Sequence, residues 1–406
     1  MSVSRLRALI WAAVLSLPAC GPRTRPAGEI TLVESAPIET TLDHPDIPDA
    51  HQIWPAMIGG AARTLDIAQF YVSDSPNSLL GPVISAIEAA AARGVAVRIL
   101  VDASFAKRYP ETLARLEKQR GVALRRFDIG PVMGGVLHAK YFVVDGRDVY
   151  LGSQNFDWRS LTHIQEMGVR LRDPAAAVAF ARVFALDWDL AGGGPSPAPA
   201  GKSAEPEVFA AESSGRPVTV TPVFSPIGFL PNPASWDLPR LIALIDGARR
   251  TVRVQVLTYK TVSRDGSAFP DLDDALRRAA GRGVTVELLV SDWAKRRGTV
   301  EALQRLSRVP NVAVRFLHVP AWSGGFVPFA RVAHAKYLVV DGARAWVGTS
   351  NWEGDYFTRS RNVGVIVEGE AFAGKLEEVF RGGFGGPLSE VVSPDRTYEA
   401  PRVDAP

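Results

Sequence analysis

Two segments of the chain repeat one set of residues suited to chemistry on a phosphate ester. The first runs His138-Ala-Lys140-Tyr-Phe-Val-Val-Asp145, then six residues, then Gly152-Ser153-Gln154-Asn155. The second runs His334-Ala-Lys336-Tyr-Leu-Val-Val-Asp341, six residues, then Gly348-Thr349-Ser350-Asn351. The stretch from each lysine onward reads as a strand, and in a strand residues i and i+2 face the same side. His138 therefore points with Lys140, and His334 with Lys336. The glycine-hydroxyl-x-amide segment after the next strand brings Asn155 or Asn351, with backbone N–H groups, beside each pair. Each segment supplies one imidazole, one ammonium and one amide, which is half of a phosphate-binding cage.

Two such halves make a catalyst. A phosphodiester needs a nucleophile on phosphorus and an acid for the leaving oxygen, approaching from opposite sides. Histidine serves either role because its unperturbed pKa lies near neutrality. Two lysines and two asparagines stabilise the charge that builds on the non-bridging oxygens. This chemistry calls for no cofactor and no metal. The remaining histidines, His44, His51, His163 and His318, are scattered, without a cysteine or a second histidine at ligand spacing, which argues against a zinc site. His51 reads as part of the start of a first helix.

The elements that must hold these residues are themselves duplicated. Thr64-Leu-Asp-Ile-Ala-Gln-Phe-Tyr-Val matches Thr251-Val-Arg-Val-Gln-Val-Leu-Thr-Tyr, and both read as buried strands. Helical stretches follow at Val83 to Arg93 and Leu272 to Arg282, each ending at a glycine, Gly94 or Gly283. New strands begin at Val95 and Val284. Strand, helix, strand in both halves predicts an α/β fold with a largely parallel sheet covered by helices. Equivalent points are 187 residues apart at the first strand, 189 at the glycine and 196 at the histidine, so small insertions separate two copies of one domain. The composition places a signal segment at 1–19, a tether at 20–45, domains at 46–190 and 221–386, a Gly- and Pro-rich linker at 191–220 and a loosely structured tail at 387–406.

A chain of 406 residues suits two domains of similar size. Its formal charge is only +3, and removing a signal containing Arg5 and Arg7 leaves +1, so no strong whole-molecule pull towards nucleic acid or anionic lipid is implied. Arg5 and Arg7 precede the apolar run Ala8 to Leu17, then Pro18-Ala19-Cys20, which is similar to a bacterial lipoprotein signal. Cys20 would then be lipidated, and the expectation is an exported, monomeric protein tethered to a membrane of the cell envelope. An ordinary cleaved signal beside an incidental cysteine is the alternative. Cys20 is the only cysteine, so no intramolecular disulfide can form.

The doubled pattern resembles the HxK(x4)D(x6)G(S/T)xN motif of the phospholipase D superfamily, over most of the chain from His51 onward. The resemblance implies tandem α/β/α domains forming a pseudo-dimer with one shared active site and a phosphohistidine intermediate. It carries over His138, Lys140 and Asn155 with His334, Lys336 and Asn351, taking His138 as nucleophile and His334 as general acid. Glu166, 28 residues after His138, stands where single-motif members keep the acid that orients a histidine; the equivalent position after His334 is Asn362. Glu353 and Asp355 are possible substitutes or solvated loop carboxylates. Asp145, Asp341, Gly152 and Gly348 read as structural parts of the motif, the aspartates fixing backbone N–H groups. A duplicated fold that has lost activity, or a membrane-anchored binding protein, is the alternative to an enzyme.

Gly135-Val-Leu-His-Ala-Lys, Leu151-Gly-Ser-Gln-Asn-Phe-Asp-Trp-Arg-Ser-Leu-Thr, Ala330-Arg-Val-Ala-His-Ala-Lys-Tyr and Gly348-Thr-Ser-Asn-Trp-Glu-Gly-Asp-Tyr-Phe resemble the branch that holds the endolysosomal 5′-exonucleases and the poxvirus envelope phospholipases, which implies phospholipid or single-stranded nucleic acid as substrate. Ser153, Ser350, Phe156 and Trp352 are candidates to line that substrate. Further aromatics (Trp158, Trp322, Phe326, Phe329, Tyr356 and Phe357) suit stacked bases, acyl chains or plain core packing. A membrane tether tilts the expectation towards lipid.

Overall fold

The computed structural model describes residues 28–197 and 205–404. The signal segment, Cys20 and the first part of the tether lie outside the described residues. In the first half, Thr64–Gln69, Ala96–Asp102 and Val122–Phe127 are parallel neighbours. Thr251–Val256, Thr285–Ser291 and Val312–Leu317 repeat this in the second. The crossover helices are Gly81–Ala92 and Asp271–Gly281. The second buries Leu272, Ala275, Leu276, Ala279 and Ala280, a stripe at helical spacing, and carries Asp271, Asp273 and Asp274 at its positive end. Gly94 and Gly283 follow the last helical turns with φ of 92° and 85°, a conformation that suits glycine.

The sheet is mixed, not largely parallel. Tyr141–Val144 and Tyr337–Val340 run antiparallel to the first strand of their halves. Each returns through a short turn into Asp148–Gly152 or Arg344–Gly348, again antiparallel, because so short a connection cannot make a parallel crossover. The pairing continues through Ile164–Arg172, Gly28–Ser35, Phe209–Ser213 and Arg216–Ser225 to Asn362–Glu368, so the two halves share one sheet. Three regions expected to be irregular are therefore partly ordered. Part of the tether forms Gly28–Ser35, with Ile30, Leu32 and Val33 buried. Part of the linker forms Phe209–Ser213 and the start of Arg216–Ser225, and part of the tail forms Ser389–Val391 against Val312–Leu317. Each fills an edge that would otherwise expose unpaired backbone groups.

Side-chain alternation sets the layers. Leu137, Ala139, Tyr141 and Val143, with Ala333, Ala335, Tyr337 and Val339, enter one core shared by both halves. Helices Pro174–Ala191 and Glu370–Gly385 contribute Phe180, Phe184, Phe372 and Phe380 to it. Phe142 and Val144 face a second core under Ala50–Gly59 and Gly81–Ala92, while Leu338 and Val340 face a third under Asp237–Asp246 and Asp271–Gly281. His138, Lys140, His334 and Lys336 have the parity opposite to the shared core.

Candidate active site

Each histidine sits in the extended segment just before a motif strand. In both halves that segment pairs parallel with a strand of the other half. Val332 and Ala333 pair with Ile164 and Gln165, and the His334 N–H donates to the Gln165 carbonyl at 2.8 Å. Leu137 bridges to Arg361, and the His138 N–H donates to the Arg361 carbonyl at 3.0 Å. The residue after each acceptor reaches the opposing ring. Glu166 Oε1 lies 2.5 Å from His334 Nδ1, and Asn362 Oδ1 lies 3.1 Å from His138 Nδ1. The orienting partners therefore cross over: Glu166, which the sequence attaches to the first motif, serves the histidine of the second. Glu353 and Asp355 touch neither ring. Glu353 holds Thr258 and Lys260, and Asp355 accepts the Arg264 N–H.

The partners fix the rings. The Asn362 amide N–H donates to the carbonyls of Tyr356 and Ser360, and its Oδ1 accepts the Thr349 hydroxyl, so that oxygen faces His138. His138 then carries a proton on Nδ1, so Nε2 presents a lone pair in the neutral ring and an N–H in the protonated one. Glu166 accepts the Ser160 hydroxyl on its other oxygen, and Ser160 Oγ accepts the Asn155 N–H, which links Asn155 to His334 through the side chains of Ser160 and Glu166. Lys140 and Lys336 are fully buried, and each Nζ donates to the carbonyl of its own histidine, at 2.6 and 2.5 Å. The Oδ1 atoms of Asn155 and Asn351 are both shut off from solvent without a hydrogen-bond partner.

Burial disfavours charge throughout the cluster. It holds both imidazoles well below the ordinary histidine value, with Lys140 and Lys336 adding to the effect. It lowers both lysines, against the opposing pull of Glu166. Burial also pushes Glu166 up to about 8, against the Ser160 hydrogen bond and the two lysine charges. An arriving phosphate anion supplies negative charge that favours the protonated forms of the imidazoles and lysines.

The other motif residues are structural. Asp145 and Asp341 have φ of 52° and 56°. Asp145 accepts the N–H groups of Ala62, Arg63 and Thr64, and Asp341 those of Arg249, Arg250 and Thr251, which aligns the first strand of each half. A Cβ on Gly152 would lie 2.6 Å from the Gly168 Cα and 2.7 Å from the Tyr150 hydroxyl; one on Gly348 would meet Trp346 at 2.5 Å. These glycines let an aromatic ring cross the sheet.

The four substrate-lining candidates need correction. Phe156 packs in the first-half core against Trp54 and Phe142, and Trp352 packs in the second-half core. Ser153 Oγ accepts the Met167 N–H, the Ser350 hydroxyl donates to Asp237, and both residues are buried. Their strands place them beneath the asparagine turns, where apolar burial decides. Phe357 also joins the core. Beside the His138 ring stand instead Tyr356, at 4.7 Å between centroids, and Phe70, at 5.1 Å, both edge-on. The sequence singles out Tyr356 but not Phe70, which lies in a stretch that reads as a buried strand. Trp158 and Trp322 flank His163, at 5.7 and 5.0 Å.

Residues 55–188 and 241–382 match the family described as cardiolipin synthase, PLD-like domain. The chain is 33% identical to the 5'-3' exonuclease PLD3 of Bos taurus over 91% of its own length and 83% of that protein's. It is 30% identical to Phospholipase D Z of Dictyostelium discoideum (89% and 90%) and 31% identical to the virion nicking-joining enzyme of vaccinia virus (86% and 86%). Among solved structures, phosphatidylserine synthase of Haemophilus influenzae shares the fold, with a TM-score of 0.62 over 86% of each chain and 11% identity. The paired motifs, the crossed orienting residues and these matches together place the chain in the phospholipase D superfamily.

Proposed function

We propose that this phosphodiesterase cleaves single-stranded nucleic acid by two displacements at phosphorus, with His334 as nucleophile. The observation that carries the roles is the unequal pair of orienting groups. Attack through Nε2 of His334 makes its ring cationic in the phosphohistidine, and the Glu166 carboxylate stabilises that charge. His138 rests on the neutral amide of Asn362, so its protonated form is less stabilised and gives up a proton more readily. This reverses the expectation that His138 is the nucleophile; the carboxylate reaches His334 across the halves.

In the first step the Nε2–P bond forms, the P–O bond to the leaving group breaks, and His138 Nε2 gives its proton to that oxygen. In the second, His138 takes a proton from water, the hydroxide attacks phosphorus and the P–N bond breaks. Lys140, Lys336, Asn155 and Asn351 hold the non-bridging oxygens.

The relatives named exonuclease and nicking-joining enzyme support nucleic acid, as do the half-buried rings beside His138. Phospholipid is the second reading, favoured by the relative named phospholipase D and by the exposed Phe326 and Phe329, which suit a lipid surface. Export and tethering through Cys20 remain part of the proposal; Cys20→Ser should release the protein from membranes. The deciding assay offers the chain a labelled single-stranded oligonucleotide and, separately, phosphatidylcholine or phosphatidylglycerol vesicles, with His334→Ala as control. Shortened oligonucleotide supports the nuclease; headgroup release with intact oligonucleotide establishes the lipid reading instead.

A further inference from the structure

Beside His138 the first half carries an aromatic array for which the motif has no use. Phe70 packs at a tilt on Phe105, 3.9 Å between centroids and 41° between planes; Tyr71 stacks near-parallel on Phe105 at 6.0 Å and on Tyr109 at 4.9 Å. All four rings are half-buried, so each keeps some surface towards solvent. One end meets the catalytic cluster, because Phe70 touches the His138 ring and lies 5.0 Å under the Lys140 ammonium. The far end is braced by a buried network. The Tyr71 hydroxyl donates to Asp157 at 2.6 Å, Asp157 pairs with Arg159 at 2.7 Å, and Arg159 donates to the Tyr109 hydroxyl at 3.4 Å. Arg108 places its guanidinium 4.9 Å above the Phe105 ring.

The second half has no copy of this array. The duplicated register puts Leu257 and Thr258 where the first half has Phe70 and Tyr71, and buried Ala294 where it has Phe105. Duplication alone therefore does not account for the rings, and the asymmetry lies on one side of the phosphate. If His138 protonates the leaving oxygen, the group that departs lies on that side.

We propose that Phe70, Phe105, Tyr71 and Tyr109 form a stacking wall for the base of the leaving nucleoside, with Arg108 placed for a more distant phosphate. This rests on the nuclease reading above. A base has a flat π face and stacks on such rings whatever its identity, so the wall selects nucleic acid without selecting sequence. A lipid headgroup presents no such face.

The test combines a change in the wall with a change in the substrate. Oligonucleotides are prepared with an abasic residue on the leaving side or on the retained side of the scissile bond. For the wild-type chain, the leaving-side abasic residue should raise KM about tenfold, the size of one stacking contact. Phe105→Leu should raise KM by a similar factor on the intact strand, with kcat nearly unchanged, and should add little on the leaving-side abasic strand. Phe105→Trp should restore the wild-type KM, which a purely structural role for this position would not require. Multiplying losses, or a wild-type KM in Phe105→Leu, would overturn the wall while leaving the nuclease reading intact. A wild-type chain that leaves every oligonucleotide uncut removes both.

Discussion

Arg361 closes a bidentate ion pair on Asp187, with N···O distances of 2.8 Å and neither side chain exposed. Arg361 belongs to the second half and Asp187 to helix Pro174–Ala191 of the first. The same guanidinium donates to the carbonyls of Ser225 and Phe229, and the Arg361 backbone carbonyl receives the His138 N–H. One side chain thus fixes how the halves meet at the position next to Asn362.

Removing one partner of a buried ion pair leaves the other charge without compensation. Arg361→Ala should therefore destabilise the chain by about 3–5 kcal/mol. Urea unfolding monitored by circular dichroism measures this, and residual folded protein should also show reduced kcat because Asn362 is no longer held.

Unequal histidine roles can be separated with an aryl phosphodiester, whose leaving group needs no acid. His138→Ala should release one equivalent of aryl alcohol in a burst and then stall, with phosphate on His334 detectable by mass spectrometry. His334→Ala should give no burst. The opposite pattern would return the nucleophile to His138. Glu166→Gln should lower kcat by about 100-fold or more, because an amide can turn its N–H groups towards Nδ1 and impose the wrong tautomer.

The pH profile follows from the depressed histidines. His334 must be unprotonated to attack and Glu166, pushed up to about 8, must be ionised to hold its Nδ1–H, so the acid limb of kcat/KM reports that coupled pair. His138 must hold a proton in the free enzyme, and its low pKa makes kcat/KM fall as pH rises on the acid side of 6.5. The two limbs of the profile are expected to belong to different groups, the acid one to the Glu166–His334 pair and the basic one to His138. Asn362→Asp puts a carboxylate beside His138 and should move the basic limb up by about one pH unit or more.

Asp145 should matter for stability and not for turnover. Burial pushes its pKa up, but the N–H groups of Thr64, Arg63 and Ala62 outweigh this and leave it below the ordinary aspartate value of 3.8. A lowered carboxylate contributes stability that is present above its unfolded pKa and lost as pH falls through the folded one. Asp145→Ala should cost about 2–4 kcal/mol at neutral pH, with the difference from wild type shrinking below pH 4. The folded variant should keep the wild-type kcat.

The sequence by itself carried what short-range periodicity and turn chemistry control. The alternation that sends Leu137, Ala139 and Tyr141 to the core and His138 and Lys140 away from it is a period-2 pattern within five residues. The duplication, the helix-ending Gly94 and Gly283 and the turn aspartates Asp145 and Asp341 are local in the same sense. The tertiary structure alone decided what depends on pairing between distant segments. Glu166 and His334 are 168 positions apart and meet only because Val332 and Ala333 pair with Ile164 and Gln165. Phe156 and Trp352 look like site aromatics beside their asparagines, yet core packing takes them, while Phe70 reaches His138 from the end of one strand and Phe105 packs on Phe70 from beyond the end of another. A side chain's neighbours along the chain fix its direction; which surface lies in that direction is set by register between strands, and that no local pattern records.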